Sequence, residues 1–399
     1  MMSRHPAFGY NQASRIRKQP AYYDTWLITV ILFLVGLGLV LVASSSISVA
    51  AKTYGEQLHF FWRQLIAVGV GLFCALVIMK IPLLIWHRLN MYLLILGVLL
   101  LVLVLVPGLG KEVNGSMRWI RFGTFSLQSS ELVRIIMIIY LAGYLLRHGE
   151  KLRQSLTGFI IPIGVVTVLA ALLLLEPDYG TAVVFFAAAL GMLFIGGVPL
   201  SRFFAWVMVA GMALVTLALG SAYRLQRLVS FMDPWSDPDN SGFQLIQALV
   251  AFGRGDWLGV GLGSSVQKLF YLPEAHTDFI FAVLAEELGL IGSVTVILLF
   301  FFIVWRSFVI AQVAEQLDKK FAAYLAYGIG LMIGIQAFIN LGVNMGLLPT
   351  KGLTLPFVSY GGNSVVSNCI LIGLLLRIEF ENHFTGKAIL PEVANTYAA

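Results

Sequence analysis

Residues 26–43 read WLITVILFLVGLGLVLVA, a run without a charge and with Thr29 as its only hydroxyl. A helix rises about 1.5 Å per residue, so about 20 apolar residues cross the roughly 30 Å hydrocarbon core of a bilayer. With a few flanking residues this run spans. Ser48-Val49-Ala50 loosely resembles a signal-peptidase site. The apolar run is nevertheless longer than the roughly 7–15 residues of a signal h-region. The expectation is a retained anchor.

Nine further runs follow, at 61–79, 91–106, 132–146, 158–175, 180–197, 203–219, 279–304, 321–344 and 364–378. The whole chain of 399 residues is 59% hydrophobic and only 12% charged, against about 45–50% and about 25% in soluble domains. That composition excludes a soluble enzyme, a disordered tail and a nucleic-acid-binding domain. The fold class is all-α, a polytopic membrane protein with a bundle of about ten transmembrane helices. Residues 1–24 and 379–399 are read as tails and 25–378 as the membrane domain. Cys74 and Cys369 lie inside apolar runs with no CxxC spacing and no His companion. Neither a disulfide framework nor a metal site is indicated.

The formal charge of +6 is accounted for by basic cytoplasmic loops rather than a polyanionic partner. With the N-terminal tail inside (Arg4, Arg15, Arg17, Lys18), alternate loops assign about 15 of the 26 Lys and Arg to the inner side. About nine fall on the longer outer side, the direction expected of a membrane protein. Both termini are then cytoplasmic. Two outer segments are unusually long, 107–131 and 220–278, and long connections in compact proteins are commonly functional. The second precedes the eighth span. Its Trp235, Phe243, Phe252 and Trp257 argue for an ordered structure lying back on the membrane surface.

Several short patterns carry nothing. The glycines at 259, 261 and 263 lack the strand-turn-helix frame of a dinucleotide site, and no Walker A sequence is present. Ser265-Val266-Gln267-Lys268 fits SxxK but lacks its partner motifs. Gly330 and Gly334 form a GxxxG read as helix packing within the chain. The strongest local signal is YLPEAHTD at 271–278, two carboxylates and a histidine at the entry to a span. Asp278 or Thr277 could cap that helix. Alternatively, Glu286 and Glu287 delay the lipid span to near Leu288. Asp278 then stands about 15 Å above the hydrocarbon edge, at head-group and sugar height, where a carboxylate can accept a hydroxyl proton. Glu286 and Glu287 fit outer-face solvation, pairing with an Arg, or a site role. Arg63 and Arg134 either snorkel or face an interior site. Arg118-Trp119-Ile120-Arg121 reads as a phosphate and sugar platform or as an aromatic belt. Glu176 and Asp178 flank Pro177 between the fifth and sixth spans.

The stretch from Asn340 to Ser364, with its core GLLPTKGLTLPFVSYGGN at 346–363, together with YLPEAHTDFIF at 271–281 and PDYGT at 177–181, resembles the signatures of the shape, elongation, division and sporulation (SEDS) family. The resemblance covers essentially the whole chain, including the ten-span plan. Thr350-Lys351-Gly352-Leu353-Thr354 is similar to the cell-division branch rather than the elongation branch. Two departures stand out. Leu127-Gln128-Ser129-Ser130-Glu131 lacks the proline of the family's QPSE, and residues 361–364 read GGNS in place of GGSS.

The resemblance implies a peptidoglycan glycosyltransferase that polymerises lipid II at the division septum of the cytoplasmic (inner) membrane. Asp278 corresponds to the family's catalytic aspartate. Arg63, Arg118, Trp119, Arg121, Glu274, His276, Lys351, Ser359 and Tyr360 are the expected substrate-binding residues. No organic cofactor is implied, and an assisting divalent cation (Mg or Mn) is compatible with diphosphate chemistry. The implied partners are lipid II, membrane lipid, an FtsI-type class B penicillin-binding protein as obligate transpeptidase, and divisome proteins of the FtsQ, FtsL, FtsB and FtsN types. Nucleic acid is not among them. A lipid II flippase without chemistry is the alternative, and it would place its key charges near the membrane midplane.

Overall fold

Every apolar run becomes a helix, since in hydrocarbon only a helix or a closed barrel satisfies all backbone polar groups. The computed structural model describes residues 23–113, 116–122, 125–220, 226, 229–240 and 242–396; the basic residues of the N-terminal tail lie outside them. In chain order the helices are α1 (Thr25–Tyr54), α2 (His59–Lys80), α3 (Leu83–Leu105), α4 (Ser129–Gln154), α5 (Leu156–Leu175) and α6 (Tyr179–Ile195). They continue with α7 (Leu200–Leu219), α8 (Phe243–Gly255), α9 (Ile280–Gln316), α10 (Lys320–Asn344) and α11 (Gly362–Thr396). Eight are long and apolar enough to cross a membrane, and α6 and α7 are apolar but shorter. These ten match the expected spans; α8 is additional. Helix α1 starts where the Asp24 carboxylate accepts from the backbone N–H groups of Trp26 and Leu27 (3.0 and 3.1 Å).

Helices α4, α10 and α11 are buried over most of their apolar windows, whereas α3 is mostly exposed. The outer faces of α2 and α3 carry Trp62, Phe73, Tyr92 and Leu99, as lipid-facing surfaces should. Small residues permit the close crossings. A β-carbon on Gly71 would lie 3.0 Å from Cys369 Sγ, and one on Gly373 would lie 2.9 Å from the Ala75 backbone, so α2 and α11 pack nearly backbone to backbone. Gly330 and Gly334 face Ser307 and Val304 of α9, each 2.8 Å from a notional β-carbon. That glycine pair serves packing within the chain, as expected.

Two features depart from a purely helical reading. The 107–131 segment holds an antiparallel sheet, β1 (Gly110–Val113), β2 (Ser116–Phe122) and β3 (Phe125–Gln128), with Trp119 opposite Gln128 and Ile120 opposite Leu127. Asn114-Gly115, the favoured hairpin dipeptide, stands between the first two strands in the sequence. Helix α11 also runs on to Thr396, past position 378, and Ile378 and Asn382 are still buried.

Helix α9 is broken at Gly289 (φ 66°, ψ −161°), one residue after Leu288, where the lipid span was expected to begin. Glycine is required there on two counts. The φ is positive, and a β-carbon would lie 2.4 Å from the Gly259 nitrogen. The short piece before the break packs on α8 through Ala248, Ala251, Ala282 and Val283, with the Phe252 and Phe281 rings 5.6 Å apart. The described part of the long segment is thus packed through Leu245, Ile246 and Phe252, while Trp235 and Trp257 remain exposed.

Candidate active site

Asp278 lies at the meeting of two irregular segments, 271–279 before α9 and 346–361 between α10 and α11. It does not cap α9. The N-cap is Phe279, without a side-chain cap hydrogen bond. Instead, the Asp278 carbonyl accepts from Asn340 Nδ2 (3.0 Å) and Asn344 Nδ2 (2.9 Å), one helical turn apart on α10. Asn340 also donates to the Leu353 carbonyl (2.5 Å). One amide thus ties both segments to one helix. The side chain of Asp278 is half-buried, and its Oδ2 lies 3.1 Å from where a β-carbon on Gly352 would stand.

The second segment is clamped from three sides. Gln64 of α2 donates to the Ser359 carbonyl (3.0 Å) and accepts from the Gly361 N–H (3.2 Å). Gln336 of α10 donates to the Thr354 carbonyl (3.0 Å). The backbone of α1 presses on Phe357 and Val358 so closely that a β-carbon on Gly38 would lie 2.6 Å from the Phe357 carbonyl oxygen. Phe357 has a φ of 66°, a strained conformation for a bulky residue that surrounding packing must hold. Ser359 is buried, and its hydroxyl accepts from the Leu355 N–H (2.8 Å) inside the turn.

His276 and Tyr360 join the segments directly. The Tyr360 N–H donates to the His276 carbonyl (2.9 Å), and Phe60 packs on both rings at 4.7 and 5.0 Å. Burial lowers the His276 pKa, with Glu274 opposing. Through its ring and its carbonyl His276 helps hold the two segments together. Burial raises the Tyr360 pKa against the nearby charge of Arg63. Glu274, at a φ of 54°, accepts from the Thr277 hydroxyl (2.6 Å) and closes the turn that presents Asp278.

Of the expected cations, Arg63 is exposed beside Tyr360. Lys351 is half-buried, with Nζ 6.0 Å from the Tyr179 ring centre. Arg118 has another task. It donates to the carbonyls of Glu176 (3.4 Å) and Pro177 (2.5 Å) and pairs with Asp178 at 3.7 Å, holding the α5–α6 turn. Trp119 stays half-exposed on β2, and the side chain of Arg121 lies outside the described residues. Arg134 does not snorkel. It is buried on Glu131 (2.7 Å), Ser367 (2.5 Å) and Gln336.

The same folded core and loops are those of known proteins. A family model described as cell cycle protein, for FtsW, RodA and SpoVE, matches residues 25–383. The chain belongs to that family. It is 52% identical over 361 residues to the probable peptidoglycan glycosyltransferase FtsW of Nitrosococcus halophilus, covering 90% of this chain and 93% of that one. Against the protein of the same name from Legionella pneumophila it is 48% identical, covering 96% and 98%. A solved structure described as structural coordination of polymerization and crosslinking by a peptidoglycan synthase complex superposes with a TM-score of 0.74 at 29% identity, covering 90% and 98%. The rod-shape-determining protein RodA of Thermus thermophilus gives 0.66 at 25%, covering 90% and 96%.

Within this family member, sequence reading gave no role to the amides that hold the site, although Asn340 and Asn344 open the stretch that resembles the family. Gln336, Asn340 and Asn344 recur every four residues along an apolar helix, and such a stripe must face polar partners inside the bundle. Glu286 and Glu287 are fully buried. Glu286 accepts from Ser265 (2.5 Å) and the N–H groups of Val266 and Gln267 (3.2 and 3.3 Å), and pairs with Arg254 (3.2 Å). Glu287 pairs with Lys268 (2.8 Å). The SxxK residues are therefore tied into the fold through these pairs, and both glutamates anchor the approach to 271–278. Among the described residues, no three His, Cys, Asp or Glu side chains converge as a metal cage. A Mg²⁺ ion carried on a diphosphate needs only one or two protein carboxylates.

Proposed function

We propose that this chain is a peptidoglycan glycosyltransferase of the cell-division type, with Asp278 as its general base. Its relatives' names and its fold support the enzyme class. The observation that carries the residue assignment is the clamping of Asp278 by Asn340 at the junction of both motif segments. Its backbone so held, Asp278 presents its carboxylate from a fixed point beside Gly352, the kind of positioning that proton transfer needs.

In this reading Asp278 takes the proton from the 4-hydroxyl of the acceptor GlcNAc of one lipid II. The freed oxygen bonds to the anomeric carbon of the donor MurNAc, and the bond to undecaprenyl diphosphate breaks. Negative charge gathers on the leaving diphosphate, where preorganised cations lower the barrier. Arg63 and Lys351 are the cations at the rim. A divalent ion (Mg or Mn) arriving with the diphosphate would supply Lewis-acid stabilisation of the leaving group, with the Asp278 carboxylate kept for its role as base.

A glycan polymerase leaves strands uncrosslinked, so the proposal includes a class B penicillin-binding protein as partner, alongside FtsQ-, FtsL-, FtsB- and FtsN-type proteins at the septum. The crosslinking named in the description of the solved complex supports this pairing. Both termini are assigned to the cytoplasm from the Lys and Arg asymmetry. The test is incubation of the purified protein with lipid II, alone and with the partner. Glycan chains that disappear in Asp278→Asn support the reading. Translocated but unpolymerised lipid would replace it with a flippase.

A further inference from the structure

Along α1, Val40, Ser44, Ser48 and Lys52 recur at every fourth position and so share one face of the helix. The stripe is graded, from an aliphatic side chain through two hydroxyls to an ammonium. A cavity of about 480 Å³ opens beside it, lined by Val40, Ser44, Ile47, Ser48, Leu262 and Lys268, with Gly263 and Leu269 completing the wall. Leu262, Leu269 and Phe270 present large apolar surfaces outward. Lys52 Nζ stands 4.9 Å from the Phe270 ring centre.

The floor of the cavity is polar and built. Lys268, 8% exposed, donates to Glu287 (2.8 Å) and to Ser44 (2.8 Å), and Ser44 donates to Glu287 (2.9 Å). An ammonium carries three donors, so one remains. Height along α1 is also informative. Ser44 lies about 29 Å along the axis from Thr25 at 1.5 Å per residue, close to the full thickness of the hydrocarbon core. Ser48 and Lys52 therefore lie at head-group level, and Val40 lies just inside the hydrocarbon.

We propose that the groove between α1 and residues 262–270 binds one anionic phospholipid of the surrounding bilayer. Its phosphate sits between Lys52, Ser48 and Lys268, and its acyl chain runs down past Ile47 and Val40. The order of chemistry along the stripe is that of such a lipid from tail to head. None of the residues around Asp278 lines the groove, so its occupant is a bilayer lipid alongside the site rather than the reacting substrate. Because Lys268 and Glu287 also anchor the segment leading into 271–278, the bound lipid steadies that segment. The inference does not depend on the chemistry proposed for Asp278.

The test uses the full-length protein in nanodiscs of phosphatidylcholine alone, with phosphatidylglycerol, or with undecaprenyl phosphate at the same mole fraction. Retained lipid is counted by native mass spectrometry. The wild type should keep one phosphatidylglycerol with preference over phosphatidylcholine. Lys52→Glu, a change at an exposed position, should weaken retention roughly tenfold or more, since each basic residue near a membrane surface contributes measurably to anionic-lipid attraction. Ser48→Trp should fill the groove and abolish retention. Equal retention by wild type and Lys52→Glu overturns the proposal. So does retention of undecaprenyl phosphate without phosphatidylglycerol, which would assign the groove to the isoprenoid carrier.

Discussion

A β-carbon placed on Gly352 would lie 3.1 Å from Oδ2 of Asp278. The glycine of the second segment is thus the surface against which the proposed base rests. A methyl group there forces the carboxylate to give way by a few tenths of an ångström. Misplacements of about 1 Å cost reacting groups about 100-fold. Gly352→Ala should therefore insert and fold normally while polymerising lipid II roughly tenfold more slowly. Initial rates of glycan synthesis at matched protein levels check this.

Asp278→Asn separates base from scaffold. The backbone carbonyl at 278 is held by Asn340 and Asn344 whatever the side chain, and the N-cap of α9 is Phe279. The variant should still fold and insert, and the polymerisation rate should fall by about 10²–10⁴-fold, the usual worth of a general base. Near-wild-type glycan synthesis by the Asn protein would remove Asp278 from this role.

Asn340→Leu should act on both properties at once. It strips a donor from the carbonyls of Asp278 and Leu353, and an unsatisfied buried polar group costs about 1–3 kcal/mol. Asn344 still reaches Asp278, so the larger effect falls on Leu353. A lowered melting temperature in detergent, together with loss of activity, is the expected pair of results. Loss of activity at full stability would show that the amide acts only on positioning.

Glu176, in the turn between α5 and α6, has its pKa raised from 4.5 to about 8, first by burial and then by Asp178, against Ser129 and Arg118. The folded state therefore holds a proton that the unfolded chain releases near pH 4.5. Stability falls as pH rises from about 4.5 to about 8, and levels off above that. Glu176→Gln should flatten this slope in melting temperature against pH, leaving the slope below pH 4 unchanged.

The stripe Gln336, Asn340 and Asn344 shows how much of the site was legible. Its spacing places three amides on one face of an apolar helix, which announces polar partners in the bundle. Which carbonyls they hold is a matter of partners such as Asp278, 62 positions from Asn340. Arg118 teaches the reverse. Its neighbour Trp119 and its place in a long outer segment suit a phosphate platform, yet its guanidinium is drawn to the acidic α5–α6 turn. Local pattern lists candidate cations without showing which partner satisfies each one.

From the sequence alone follow the membrane class, the ten spans and the residues of the two motifs, because hydrocarbon imposes its demand on every segment separately and the chain answers in runs of apolar residues. The tertiary structure alone decided the break at Gly289, the seating of Arg118 on the α5–α6 turn, the burial of Ser359 and the seating of Asp278 against Gly352. Each of these depends on groups distant in the chain meeting at separations of a few ångströms. Such meetings are settled by how backbones approach and which buried polar atoms find partners, and no single segment carries that information.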